Sequence, residues 1–140
     1  VFIEYALPID APSLMLELID AVNDADGITI DNAHETYARI HMGTVHIHPF
    51  WDGNGRIARL LANIPLLRAG LPPLTITQAD RRQYIRLLAN YQIGVGRLSR
   101  STCVWPEPEK LHDFSEYCRA NYSSTRELVE DAFAVQKRRT

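Results

Sequence analysis

His48, Asp52, Arg56 and Arg59 lie in one short string, His48-Pro49-Phe50-Trp51-Asp52-Gly53-Asn54-Gly55-Arg56-Ile57-Ala58-Arg59. Glycines on both sides of Asn54 let the backbone turn with its amide N–H groups pointing one way, a concavity that binds anions. The string leads into the start of an expected helix, which adds unpaired N–H donors and the positive end of a dipole. Arg56 and Arg59 share one face of that helix and bring two guanidinium forks beside the nest. Asp52 is a single hard carboxylate. Mg²⁺ beside substrate phosphates needs only one or two such ligands, and Mn²⁺ accepts the same donors. His48, at the end of the preceding element, is a general base suited to neutral pH. A base, a metal carboxylate, an anion-binding loop and a cationic helix describe phosphoryl or nucleotidyl transfer.

A second chemistry is open to the same residues. His46 and His48 with Asp52 have the outline of a transition-metal site, and hence of a metal-dependent hydrolase, although no third strong ligand is evident; His46 also reads as a surface or helix-end residue. His34 and His41, seven apart on one helical face, read as packing or hydrogen-bonding residues. Phe50 reads as an anchor holding the loop on the core. Asn63, one turn beyond Arg59, reads equally as a support for the site or as an ordinary polar helix position.

These residues need helices to hold them. Pro12 and the apolar face of Leu14, Leu18, Ile19, Ala21 and Val22 predict a helix over 12–23. Asn32, with Glu35 in capping-box position, predicts the start of a second helix that Pro49 ends at His48. The third helix carries a stripe of Ile57, Leu60, Leu61, Ile64 and Leu67, a proline kink at Pro65, and a stop at Gly70 and Pro72-Pro73. A fourth, capped by Thr77 with Asp80 three residues on, runs to about Asn90. Residues 94–108 read as a loop, and two helices, roughly 107–121 and 124–138, finish the chain. The opening VFIEYALP suits one strand of a hairpin. The expected fold is an all-α bundle with a small β-hairpin flap at its N-terminal end. It forms one domain over 1–140, with its core in 1–95 and a loop and C-terminal helices, open to a regulatory role, in 96–140.

The string 48–59 resembles the signature of the Fic-domain family, HPFx(D/E)GNGRxxR, at every defined position. The resemblance extends over about residues 1–95 and is strongest at 41–73, through His41, Ile47, Leu60-Leu61-Ala62-Asn63 and Gly70-Leu71-Pro72-Pro73. It implies transfer of AMP from ATP–Mg²⁺ to a Tyr, Thr or Ser hydroxyl of a target protein, with pyrophosphate leaving. In that reading His48 deprotonates the hydroxyl and Asp52 holds the metal between the α- and β-phosphates. Gly53, Asn54 and Gly55 cradle the phosphates, while Arg56 and Arg59 neutralise the leaving group. Gly55 stands where the death-on-curing relatives, which transfer phosphate, carry Lys. Other donors, giving UMP, phosphate or phosphocholine transfer, remain open to the same machinery, as does a catalytically silent nucleotide-binding module. The resemblance also places Tyr84, Asn90 and Tyr91 beside the base, each equally readable as a core or helix-end residue. It sets Phe2, Ile3, Glu4 and Tyr5 in a flap that adds a target segment as an extra strand, or else in a core-facing edge strand. The family's inhibitory helix carries (S/T)xxxE(G/N), whose Glu pairs with the residue equivalent to Arg59. Ser123 and Glu127 have that spacing but are followed by Leu128, and Ser124 with Glu127 reads equally as a capping box. An inhibitory segment on another part of the protein, or a separate antitoxin, is the alternative. The stretch Tyr91–Arg97 departs from the family, lacking its Gly-Asp and Pro-Leu/Phe run.

Composition narrows the partners. Fifteen basic and 17 acidic residues give a formal charge of −2, which argues against a nucleic-acid module held by bulk phosphate attraction. No apolar run is long enough to cross a bilayer, and the opening residues lack a signal peptide's pattern. Cys103 and Cys118 form no disulfide framework, so a reducing cytoplasm is expected, with delivery into a host cell left open. The missing initiator Met predicts a processed chain or a piece of a longer protein.

Overall fold

The computed structural model describes residues 2–140, except for the side chain of Asp80. The expected strand start at Val1 and the partnership of Asp80 with Thr77 therefore lie outside the described residues. Among the described residues the fold has five α-helices: α1 (Ala11–Asp24), α2 (Ala33–Ile47), α3 (Asn54–Arg68), α4 (Arg81–Val95) and α5 (His112–Arg139). Single 3₁₀ turns at Gln78–Asp80 and Pro108–Leu111 lead into α4 and α5. Among the described residues there is no strand. Residues 2–7 run without a ladder partner, so the expected hairpin does not form here; a strand is stabilised only by the neighbour it pairs with.

α2 is the axis of the bundle. It packs most extensively on α3, then on α5 and α1. It is buried on nearly every side, and its polar residues are buried with it. Three of them find partners: Thr44 Oγ1 donates to the Ile40 carbonyl at 2.8 Å, His46 Nε2 meets the Gly96 carbonyl at 2.7 Å, and His41 Nε2 meets Tyr84 Oη at 2.7 Å, while Tyr37 Oη has no hydrogen-bond partner among the described residues. His46 is thus fully buried, which corrects its reading as a surface residue, and it pins the loop after α4. Asn32 stands at the N-cap of α2, but its side chain accepts from the Thr29 N–H at 2.8 Å and donates to the Gly27 carbonyl at 3.1 Å. It ties the preceding loop instead of closing a capping box.

α3 packs on α2 and buries Ala58, Ala62, Pro65 and Leu66, whereas of the expected stripe Leu61 is only partly buried against the core. Leu60, Ile64 and Leu67 are 69%, 41% and 56% exposed. Small residues let two helix backbones approach closely, and the larger ones are displaced to the rim. The helix runs on through Pro65 and ends in a Schellman motif. Leu71 N–H reaches the Leu66 carbonyl at 2.9 Å and Gly70 N–H the Leu67 carbonyl at 3.0 Å, with Gly70 at φ +77°.

α4 continues to Val95, beyond the expected end at about Asn90. α5 is one unbroken helix where two were expected. Ser123 and Ser124 therefore lie inside it, and no capping box forms. Ser123 Oγ donates to the Arg119 carbonyl at 3.1 Å, the i−4 bond by which serine is accommodated in a helix interior. Nearby, Tyr122 Oη donates to the Pro72 carbonyl at 2.9 Å, and Arg126 pairs with Asp31 and Glu130, each at 3.2 Å, anchoring the helix across the expected break.

Gly43 marks the tightest approach to α2. A Cβ there would lie 2.9 Å from Leu18 Cδ1, 2.9 Å from Val104 Cγ1 and 3.0 Å from Trp105 Cζ2. All three neighbours are buried, and Trp105 is fixed by its Nε1 bond to the Arg39 carbonyl at 2.8 Å. Gly43→Ala gains about 1 kcal/mol of helix propensity but meets an overpacking cost of about 1–3 kcal/mol. The expected outcome is a net loss of stability, read as a lower thermal midpoint in a circular dichroism melt; a midpoint at or above wild type would show that the neighbours can yield.

Candidate active site

The junction of α2 and α3 is shaped by backbone conformation. His48 is the C-cap of α2, in the left-handed region at φ 56° and ψ 58°, with its N–H bonded to the Thr44 carbonyl at 3.0 Å. A non-glycine residue there turns the chain out of the helix at once. Asn54 then closes the loop: its Oδ1 accepts from the Phe50 N–H at 2.9 Å and its Nδ2 donates to the Phe50 carbonyl at 2.7 Å. The Phe50 ring is 48% exposed, so the loop is anchored through the backbone of Phe50 and not, as expected, through its ring. The first bond of α3 that reaches back to the loop runs from Ile57 N–H to the Gly53 carbonyl at 3.0 Å, with Gly53 left-handed at φ 80°. The N–H groups of Asn54, Gly55 and Arg56 precede it and are the unpaired donors of the helix start.

An open cleft of about 550 Å³ lies over this junction. Its lining brings together His48, Asp52, Gly53, Asn54, Gly55, Arg56 and Arg59. Asp52 and Arg56 are exposed and 3.9 Å apart. Both arginines lie along glycine. A Cβ on Gly55 would be 3.4 Å from Arg59 Nη1, and one on Gly53 would be 3.8 Å from Arg56 Nη2. The Arg59 guanidinium is held further by a 3.3 Å bond from Nη1 to Tyr84 Oη. Partial burial lowers the pKa of His48 from its ordinary 6.5, against the opposing effect of a backbone hydrogen bond at Val45. The ring is thereby kept neutral and basic at neutral pH. Tyr5 stacks on it, ring centroids 3.8 Å apart and planes 16° from parallel.

Residues 2–7 cross the cleft with alternating directions. Ile3 and Tyr5 line it, while Glu4 turns away to Arg97 at 3.9 Å. Four other candidates lie elsewhere. Asn90 and Tyr91 line a separate cavity between α4 and the start of α5, and Tyr91 packs edge-on against His46 at 5.6 Å. Glu127 is on the exposed part of α5, and among the described residues no ion pair joins it or Ser123 to Arg59. Ser124 and Thr125 line a groove of about 620 Å³ that shares no residue with the cleft. The competing metal site does not assemble either. His46 bonds to Gly96, and among the described residues no cluster of three His, Cys, Asp or Glu groups could hold a metal. Asn63 clamps the segment after α3, donating to the Leu74 carbonyl at 3.0 Å and accepting from its N–H at 2.8 Å.

The far wall of the cleft is a face of α4 carrying Arg81, Ile85, Leu88 and Gln92; of these the sequence pointed only to Leu88, through the likeness of its helix to the family, and to none of them as a site residue. Their helical spacing is the signal that could have found them. Gln92 is 5% exposed; its Nε2 donates to the Leu88 carbonyl at 3.1 Å, and its Oε1 has no hydrogen-bond partner. That oxygen is itself buried, an unsatisfied acceptor beside the cleft that a donor from a ligand would satisfy once the side chain turns outward.

Comparison with known proteins agrees with this geometry. Residues 2–66 match the model of the Fic/DOC family. It is 40% identical over 78 residues to the protein adenylyltransferase fic-1 of Caenorhabditis elegans, covering 56% of this chain and 15% of that protein. It is 42% identical over 91 residues to the protein adenylyltransferase Fic of Nematostella vectensis, covering 63% of this chain and 21% of that one. A Fic domain containing signaling protein from Bacteroides thetaiotaomicron superposes with a TM-score of 0.71 at 33% identity, over 86% of this chain and 44% of that one. The chain thus spans about a fifth or less of these two curated relatives. No helix among the described residues is long and apolar enough to cross a membrane.

Proposed function

We propose that this domain is a protein adenylyltransferase, moving AMP from ATP to a Tyr, Thr or Ser hydroxyl of a target protein and releasing pyrophosphate. The observation that carries the reading is the convergence of His48, Asp52, the free N–H groups at the start of α3, Arg56 and Arg59 on one cleft. The relatives named adenylyltransferases add their weight to it.

His48 accepts the proton of the target hydroxyl as its oxygen attacks the α-phosphorus. The bond from that phosphorus to the bridging oxygen breaks, and the electron pair leaves on pyrophosphate. The charge that grows there is met by the α3 N–H groups and by Arg56 and Arg59, which positions and stabilises a step needing little covalent help. Asp52 fits a divalent cation: it is an exposed hard carboxylate at the cleft. Mg²⁺ or Mn²⁺ bound there would neutralise phosphate oxygens. Ile3 and Tyr5 lie where a target segment enters, in the manner of a flap. The exposed Trp51 ring stands at the same rim.

Gln92 favours ATP over UTP and GTP. Turned toward the cleft, its Oε1, which has no partner in the fold, would accept from the exocyclic amine of adenine and oppose the carbonyl oxygen that uracil and guanine carry in the corresponding place. Intact-mass measurement of the chain and of exposed proteins, after incubation with each nucleotide and Mg²⁺, tests the reading. A gain of one AMP from ATP is expected, with an α-phosphate label retained and a γ-label lost. Gln92→Leu should then reduce the preference for ATP over UTP by roughly tenfold. Transfer of the γ-label would replace nucleotidyl by phosphoryl transfer, and equal use of UTP by the wild type would remove Gln92 as the selector.

A further inference from the structure

Among the described residues, Arg59 is the cleft arginine whose guanidinium bonds to a buried side chain. Its Nη1 donates to Tyr84 Oη at 3.3 Å, and Tyr84 Oη lies 2.7 Å from His41 Nε2. Tyr84 is 6% exposed and His41 is fully buried. A guanidinium has only donors, so the phenol oxygen accepts from Arg59, which leaves its own proton free to go to His41 Nε2. That direction requires the Nδ1–H tautomer of a neutral His41. Burial, and after it the positive charge of Arg59, pull the His41 pKa down to about 3, so Nε2 stays an acceptor through the whole working range.

The Tyr84 ring has little freedom to move its hydroxyl. It meets His41 edge-on at 5.4 Å, Phe114 at 6.2 Å and Tyr117 at 6.5 Å, so α2, α4 and α5 all fix it. On its other side the Arg59 guanidinium lies against Gly55, where a Cβ would come within 3.4 Å of Nη1. Were the ring needed only to fill space, phenylalanine would serve; the hydroxyl is spent on Arg59 and His41.

We propose that Tyr84, backed by His41, is a positioning residue that orders the Arg59 guanidinium against the start of α3 before the polyphosphate arrives. This rests on the phosphate-binding reading of the cleft but not on which nucleotide is the donor. The relay removes in advance the rotamer freedom that a long arginine side chain would otherwise lose on binding. It also ties the start of α5 to the phosphate end of the cleft, since Phe114 and Tyr117 hold the ring that holds Arg59.

The test is calorimetry on the whole chain with three probes: ATP, AMP and inorganic tripolyphosphate. Tyr84→Phe should weaken ATP and tripolyphosphate about five- to twentyfold, as expected for a hydrogen bond to a charged group, and leave AMP within twofold. In an Arg59→Ala background the same substitution should add nothing. His41→Gln, which keeps an acceptor near the place of Nε2, should retain most of the ATP affinity and serves if Tyr84→Phe folds poorly. Equal losses for AMP and ATP, an additive loss in the Arg59→Ala background, or a loss in His41→Gln as large as in Tyr84→Phe would each overturn the proposal. If wild type binds tripolyphosphate but not ATP, the relay stands and the adenylyl-transfer reading fails. If it binds neither, both fail.

Discussion

His48→Ala should lower AMP transfer by about 10²–10⁴-fold while ATP affinity stays within about twofold, because a general base acts on the hydroxyl and not on the nucleotide. The pH profile makes the assignment sharper. The base works as neutral imidazole, and burial of His48 disfavours its charged form, so its pKa in the folded chain lies below the ordinary 6.5. The acid limb of kcat/KM should therefore fall below pH 6.5, and rate should be lost as pH drops through the limb and His48 takes up a proton. The residual activity of His48→Ala should lack that limb. The stacked Tyr5 ring covers part of the imidazole, and Tyr5→Ala, by opening it to water, should move the limb back toward 6.5. A His48→Ala variant with near-normal rates, or with the same acid limb, would remove His48 from the role of base.

The chemistry of 48–59 was legible because its residues are consecutive: a left-handed turn, two glycines and a helix start need no distant partner to be recognised. α1 was legible for a similar reason, since Leu14, Leu18 and Val22 are both its periodic and its buried residues. α3 was misread because apolar size was taken for burial. Ala58 and Ala62 are the fully buried residues of its inner face, and Leu60 and Leu67 stay at the rim. α2 shows the reverse case. Its histidines and threonine weaken the apolar pattern, and only the structure supplies the Tyr84, Gly96 and Ile40 partners that allow their burial.

The end of α4 is a matter of extent: expected near Asn90, the helix runs to Val95, and its cleft face follows the spacing of Arg81, Ile85, Leu88 and Gln92, while Asn90 and Tyr91 line a separate cavity. The reading of α5 as two helices came from Ser123 and Ser124, which stop a helix only when no i−4 carbonyl and no flanking contact holds them inside it. Both errors concern how far a helix extends, which local sequence specifies least.

Arg59→Ala should weaken ATP binding by about 10²-fold, since it removes charge-assisted bonds worth about 1.5–3 kcal/mol each from the end of the cleft where phosphate charge is met. Arg56→Ala should cost several-fold less. Its side chain is 74% exposed and its paired carboxylate, Asp52, is 88% exposed, so water competes for it and much of its charge is screened. Arg59 is held between Tyr84 and Gly55, so its ordering is largely complete before the ligand arrives. The losses should also differ by ligand: large for ATP, smaller for ADP and slight for AMP, because the effect scales with phosphates beyond the α position. Added salt should shrink the Arg56 effect more than the Arg59 effect, the former being the more exposed charge. Calorimetric titration of both variants with the three nucleotides at two ionic strengths reads all of this. Equal losses for AMP and ATP would place Arg59 outside the polyphosphate site, and a larger loss in Arg56→Ala would show that ordering by Tyr84 does not set the ranking.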